Sequence, residues 1–161
     1  MKLVVQMPAL NEEASIGRVL ESIPRSLPGV DEVQVLVVDD GSTDRTAELA
    51  REKGAVVVSH AQNRGVGAAF RSGLAKATEL DADILVTIDA DGQFDPNDIP
   101  TVIAPILEGE ADFVTASRFL DPALVVGTMP WPLEFLGGLR MPNAPGYVTF
   151  IPRMWGYMPL F

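Results

Sequence analysis

Short apolar runs rich in β-branched residues alternate along the chain with stretches whose apolar positions recur every three to four residues, the pattern of successive βα units. Residues 3–7 predict a first strand, ended by Pro8. A helix is expected from about Glu12, with Ile16, Val19, Leu20 and Ile23 on one face and Pro24 as its stop. Residues 33–38 are almost continuously apolar, which predicts a strand covered on both faces, and the run ends abruptly in Asp39-Asp40-Gly41-Ser42-Thr43-Asp44. Ser42 or Thr43 is expected to cap a second helix that reaches about Lys53 and closes at Gly54. Residues 55–59 predict a third strand, 67–79 a third helix, 84–88 a fourth strand and 113–116 a fifth. Between the last two strands, Asp95-Pro96 reads as a cap followed by proline at the first helical position, opening a helix to about Leu107. The whole predicts a Rossmann-like α/β layer structure with a mostly parallel central sheet and helices on both faces.

From about Pro122 this order is lost. The remainder carries six further prolines, seven aromatics and three charges, Glu134, Arg140 and Arg153, with no helical or alternating period. The expected organisation is therefore a domain over residues 1–121 and a proline- and aromatic-rich segment over 122–161. At 161 residues and 47% hydrophobic content the chain is the size of one ordinary domain with a real core. A formal charge of -10, from 22 acidic and 12 basic residues, repels a phosphate backbone and argues against nucleic-acid binding. The absence of cysteine excludes disulfides, thiolate catalysis and cysteine-ligated zinc. Gln6, Pro8 and Asn11 interrupt the apolar amino terminus, so no signal peptide is read there, and no uncharged stretch reaches the roughly 18 residues of a membrane span. A cytoplasmic location is expected, with any membrane contact peripheral at the cytoplasmic face or made by a partner.

The strongest chemical signal is Asp89-Ala90-Asp91-Gly92-Gln93, directly after an apolar strand. In a parallel α/β sheet the carboxyl ends of the strands line the ligand crevice. Two carboxylates and an amide oxygen there suit Mg²⁺ or Mn²⁺, which bridge a protein to a diphosphate. A lone pair of this kind also arises as an acidic loop that caps the next helix; its place after a buried strand favours the metal. The second acidic turn, Asp39-Asp40-Gly41-Ser42, also ends a strand, and two such turns at neighbouring strands would enclose one pocket. A carboxylate there can accept from a base N–H or a ribose hydroxyl, and Gly41 lets a backbone approach closely. Capping by Ser42 and Asp44 is compatible with that role. Gly65-Val66-Gly67-Ala68-Ala69-Phe70 begins like a dinucleotide fingerprint, but Phe70 takes the third glycine's place, and the stretch reads as a loop into a packed helix. His60 is read as a structural or solvent-facing histidine without a role.

Met7-Pro8-Ala9-Leu10-Asn11-Glu12-Glu13, Val37-Val38-Asp39-Asp40-Gly41-Ser42-Thr43-Asp44, Asn63-Arg64-Gly65, Asp89-Ala90-Asp91-Gly92-Gln93 and Ser117-Arg118-Phe119, in this order and spacing, resemble family 2 glycosyltransferases, above all the dolichyl-phosphate mannose synthase-like branch. The resemblance covers about residues 3–121. It implies a GT-A fold and an inverting transfer of a sugar from a GDP- or UDP-sugar. It further implies that Pro8, Glu12 and Asp40 surround the base and ribose, and that Asn11, Gly41, Ser42, Arg64 and Asp89 complete the donor site. Asp89, Asp91 and Gln93 would be ligands of Mg²⁺ or Mn²⁺, with Asp91 and Arg118 as catalytic residues and Arg118 facing the diphosphate or the acceptor. A guanidinium suits phosphate through its planar fork.

An alcohol acceptor needs a general base, whereas a phosphate monoester with a second pKa of about 6 is largely ionised at neutral pH and needs none. After Asp121 the sequence offers only Glu134 as a carboxylate, which favours a polyprenyl (dolichyl-type) phosphate acceptor. Members of the family continue past the Ser-Arg strand with acceptor-binding elements, which residues 122–161 match poorly; an incomplete or altered acceptor side is expected. Two other readings stand beside this one. A nucleotidyltransferase would share the acidic metal site but needs a basic glycine-rich loop, and residues 8–13 hold neither glycine nor lysine. A non-catalytic nucleotide-sugar-binding domain would bind donor without turnover.

Overall fold

The computed structural model describes residues 1–116 and 147–150. Six strands, β1 (Lys2–Ala9), β2 (Glu32–Asp39), β3 (Val56–Ser59), β4 (Ile84–Thr87), β5 (Phe113–Ala116) and β6 (Tyr147–Phe150), form one sheet in the order β3-β2-β1-β4-β6-β5. Every pairing in it is parallel. The helices are α1 (Ile16–Ser22), α2 (Thr46–Glu52), α3 (Val66–Glu79) and α4 (Ile99–Leu107).

The apolar runs are continuous because both faces of the sheet are covered. Leu3, Val5, Met7 and Ala9 of β1 join Val35 and Val37 of β2 and Val86 of β4 in one core with residues of α1, α2 and α4, including Leu20, Ala50 and Ile103. The alternate positions Val4, Leu36, Val38 and Leu85 form a second core against Ala69 and Ala77 of α3. Each such aliphatic side chain contributes roughly 1.5–3 kcal/mol of transfer free energy on burial. Small residues on α3 let it lie close to the sheet. A Cβ on Gly73 would stand 2.3 Å from the Gln6 carboxamide carbon, and Gln6, fully buried in β1, donates to the Phe70 carbonyl at 3.4 Å.

The α/β architecture and its five expected strands are present, with four differences. The first helix begins at Ile16 rather than near Glu12, since Asn11 adopts φ 56° and residues 12–15 form a turn in which the Glu12 carbonyl accepts from the amides of Ser15 and Ile16. The second begins at Thr46, because the side chains of Ser42 and Thr43 serve the loop after β1; Arg45 holds the N-cap position without a side-chain cap, and Asp44 just before it accepts from the Thr46 amide at 2.9 Å. Asp95 caps as expected, accepting from the Asn97 amide, but it opens a 3-10 turn, Pro96–Asp98, before α4. The chain also supplies β6 from the region in which no strand was expected, and β6 separates β4 from β5.

The hydroxyl of Thr87 is buried in β4 and has no hydrogen-bond partner among the described residues. Replacing an unpaired buried hydroxyl by a methyl of the same shape is expected to stabilise. Thr87→Val should raise the melting temperature by roughly 2–4 °C, the equivalent of about 1 kcal/mol in a chain of this size, in a calorimetric scan.

Candidate active site

β1 lies at the point where the strand order reverses, with β2 and β3 on one side and β4 on the other. In open parallel sheets the crevice at that point, beyond the carboxyl ends of the strands, is where ligands bind. The loops that follow β1, β2 and β4 meet there. They carry Asn11 and Glu12, then residues 39–44, then residues 89–93.

The first two loops are stitched together through side chains. The Asn11 amide donates to Ser42 Oγ at 2.9 Å, and Asn11 Oδ1 accepts from the Thr43 amide at 2.9 Å. The Glu12 amide donates to the hydroxyl of buried Thr46 at 2.7 Å, and that hydroxyl donates to Asp44 Oδ1 at 2.5 Å. Glu13 and Asp44 close the seam: the Glu13 amide donates to Asp44 Oδ2, and the Arg45 amide to Glu13 Oε2. Asparagine tolerates the left-handed conformation that Asn11 needs for this clip better than most residues.

Asp39 and Asp40 are both buried. Asp39 Oδ1 accepts from the Ser42 amide at 3.0 Å. Asp40 Oδ1 accepts from the His60 ring at 2.6 Å and from the Arg64 amide at 3.0 Å, and Oδ2 accepts from the Gly65 amide at 2.8 Å. Burial pushes the Asp40 carboxyl upward, but the bonds from His60, Arg64 and Gly65 outweigh it and hold it below the ordinary aspartate value. His60, expected to be a structural or solvent-facing histidine without a role, has a side chain only 6% exposed, and its Nε2 lies 2.8 Å from Ser72 Oγ of α3. A clue was its place at the end of β3, next to the strand that ends in Asp39. Gly41, at φ 81°, is pressed against the backbone of the 62–63 segment: a Cβ there would lie 2.5 Å from the Gln62 carbonyl carbon and 2.6 Å from the Asn63 nitrogen. The Arg64 side chain is exposed beside this turn.

Across β1, the loop after β4 sets Asp89 half-buried and Asp91 and Gln93 exposed, with Asp91 Oδ1 accepting from the Gln93 amide at 2.8 Å. The Asp89 carboxyl is pushed up to about 7, first by burial and then by the negative charges of Asp91 and Glu12. Glu12 therefore belongs electrostatically to this cluster, while its Oε2 accepts from Ser15 Oγ at 2.6 Å. A cleft of about 450 Å³ opens beside it, lined by Arg18, Val19 and Ser22 of α1 together with Asp91, Gln93 and Phe94.

The two acidic turns lie at the same, carboxyl end of the sheet, but they do not follow neighbouring strands, which corrects the expectation of adjacent strand ends. β1 stands between them, so the strand ends are two spacings, roughly 10 Å, apart. An extended nucleoside diphosphate can reach from one turn to the other. Among the described residues no group of three or more His, Cys, Asp or Glu side chains forms a cage. Mg²⁺ and Mn²⁺ at phosphate sites commonly take one or two protein carboxylates and complete their shell from phosphate and water. Asp89 and Asp91, whose mutual repulsion a cation would relieve, fit that donor set. Arg118 lies outside the described residues.

The model of glycosyl transferase family 2 matches residues 4–141. The chain belongs to that family. A UDP-N-acetylglucosamine–dolichyl-phosphate N-acetylglucosaminyltransferase of Methanococcus voltae is 36% identical over 133 residues, covering 72% of this chain and 51% of that protein. A dolichol-phosphate mannosyltransferase of Pyrococcus furiosus is 32% identical over 136 residues, covering 82% of this chain and 36% of that protein. Glucosyl-3-phosphoglycerate synthase of Mycobacterium tuberculosis, solved with uridine diphosphate, superposes with a TM-score of 0.59 at 36% identity, over 73% of this chain and 44% of that one. The same synthase has been crystallised with Mn²⁺, uridine diphosphate and glucosyl-3-phosphoglycerate. The fold is thus the GT-A fold of this family. The chain spans about half the length, or less, of these relatives.

Two outcomes follow from the geometry. Gly41→Ala combines a left-handed φ with a backbone clash and should cost about 2 kcal/mol or more of stability, read as a lower denaturation midpoint. Asp89 binds its proton more tightly when folded than when unfolded, so its contribution to stability is complete below about pH 4 and is lost as pH rises through about 7. Asp89→Asn, which stays neutral, should therefore melt several degrees above the native protein at pH 8, with the gap narrowing as pH falls below about 7 and closing near pH 4 in the same thermal scans.

Proposed function

We propose that the chain is the donor-binding part of an inverting hexosyltransferase that moves a sugar from a GDP- or UDP-sugar onto a polyprenyl phosphate of the dolichyl type. The observation that carries this reading is the charge-crowded group of Glu12, Asp89 and Asp91 at the sheet's switch point, one strand away from the buried Asp40 turn. Pro8, Asn11, Glu12, Asp40, Gly41 and Ser42 form the base and ribose end. Asp89, Asp91 and the Gln93 amide oxygen hold Mg²⁺ or Mn²⁺, which when bound neutralises charge on the departing diphosphate. Arg64 and Arg118 provide cations for the phosphates. An ionised phosphate monoester attacks the anomeric carbon from the face opposite the diphosphate; its oxygen forms the new bond as the sugar–diphosphate bond breaks, and no protein base is required. The dolichyl-phosphate acceptors of two relatives support this choice of acceptor. The proposed encounter with a lipid phosphate is peripheral, at the cytoplasmic face; among the described residues no helix is long and apolar enough to cross a membrane. Residues 122–161 form the acceptor-side segment in this proposal.

The test is a turnover assay with Mn²⁺, a panel of GDP- and UDP-sugars, and either polyprenyl phosphate or 3-phosphoglycerate as acceptor. Glycosyl transfer to the polyprenyl phosphate is expected, with Asp91→Ala lowering it by about 10²-fold or more, as for loss of a group that stabilises transition-state charge. Full activity in the presence of chelator, or a melting response to nucleoside triphosphates alone, would sink the reading. Transfer to 3-phosphoglycerate instead would keep the reaction class and replace the acceptor.

A further inference from the structure

Asp40 does not stand free at its strand end. An ionised carboxylate has about four lone-pair positions, and three are filled from within the protein: His60 and the Arg64 amide on Oδ1, the Gly65 amide on Oδ2. One position on Oδ2 is left. The carboxylate is thus clamped in a single orientation by donors from one loop, residues 60–65 between β3 and α3, with one acceptor site to offer.

The imidazole is itself fixed at both ends and along its backbone. The His60 amide donates to the Asp39 carbonyl at 2.8 Å, Nδ1 meets Asp40 at 2.6 Å, and Nε2 meets the Ser72 hydroxyl at 2.8 Å. Against an ionised carboxylate Nδ1 must carry the proton, so in the neutral ring Nε2 accepts from Ser72, whose hydroxyl is free to rotate. The order of residue types is that of a nucleophilic triad. The ring is only 6% exposed and the carboxylate also accepts from two backbone amides, so the array is held as a fixed support for Asp40.

We infer that His60 is a positioning residue for the donor: backed by Ser72, it sets the orientation of Asp40 and, through Asp40, the 63–65 loop, so that the remaining Oδ2 lone pair meets an N–H of the nucleotide base or a hydroxyl of its ribose. This rests on the donor reading above. It assigns the part-buried Ser72–His60–Asp40 chain to recognition of the nucleoside, not to the metal and diphosphate end, which lies across β1.

That separation gives the test. Binding of UDP, of GDP and of inorganic pyrophosphate, each with Mn²⁺, is measured by calorimetry on the native chain, His60→Ala, His60→Asn and Ser72→Ala. His60→Ala is expected to weaken the nucleotide that the native chain prefers by about tenfold, the scale of one charge-assisted hydrogen bond, while pyrophosphate affinity holds. His60→Asn, whose amide nitrogen can stand in for Nδ1, should recover most of that loss; Ser72→Ala should weaken the nucleotide about threefold. Ser72→Ala and His60→Asn keep the test decisive if His60→Ala does not fold. Nucleotide affinity unchanged in the variants, or a parallel fall for pyrophosphate, would overturn the inference while leaving the donor reading standing. A native chain that binds pyrophosphate but neither nucleotide would overturn the donor reading, and this inference with it.

Discussion

Carboxylates crowded at one edge of a parallel sheet repel each other, and the rest of the site is arranged around that repulsion. Asp89 is the extreme case: half-buried, with Asp91 and Glu12 as neighbours, it holds a proton up to about pH 7. A fold that sought only stability would replace one of the three. Retaining them stores unfavourable electrostatic energy that an added cation and its phosphate ligands would release, and this is how a local weakness of the fold can become affinity.

The other acidic turn meets the same problem differently. Asp40 is also buried, yet its carboxyl lies low, because three hydrogen bonds converge on it. The two aspartates are separated by one strand, and hydrogen-bond donors around one against burial and like charges around the other make the difference between them. The Asn11, Ser42, Thr43, Thr46 and Asp44 clip sets the relative position of these environments. It fixes the loop after β1 to the turn after β2, and so sets Glu12 against the cluster on the far side.

Strand positions were legible because burial on both faces leaves an unmistakable apolar run, as in β2 and β4. Helix starts were less so. Ser42 and Thr43 are chemically good caps, but their partners lie some thirty positions earlier in the chain, on the other side of a strand pairing that no local pattern reveals. The acidic turns were found from their place after apolar strands; that β1 runs between them depends on strand order, which periodicity does not encode. His60 was passed over for a related reason. Its partners, Asp40 and Ser72, sit on two other elements, and nothing within a few residues of it marks the contact. In β6, Tyr147–Phe150 has the composition of a strand but is only four residues long and sits among prolines and glycines, too short to establish a period.

The place of β6 bears on how the molecule is made. Leu85 and Phe113 both lie in register with Tyr147, so the strand between β4 and β5 is synthesised after each of them. While the chain is still emerging from the ribosome, β4 presents an open edge that cannot be closed until some sixty further residues have been added. Such late, long-range insertion slows folding and leaves strand edges available for wrong pairings. Cellular yield of this protein would then depend on how well the nascent chain is protected by chaperones, and less on the equilibrium stability of the finished sheet.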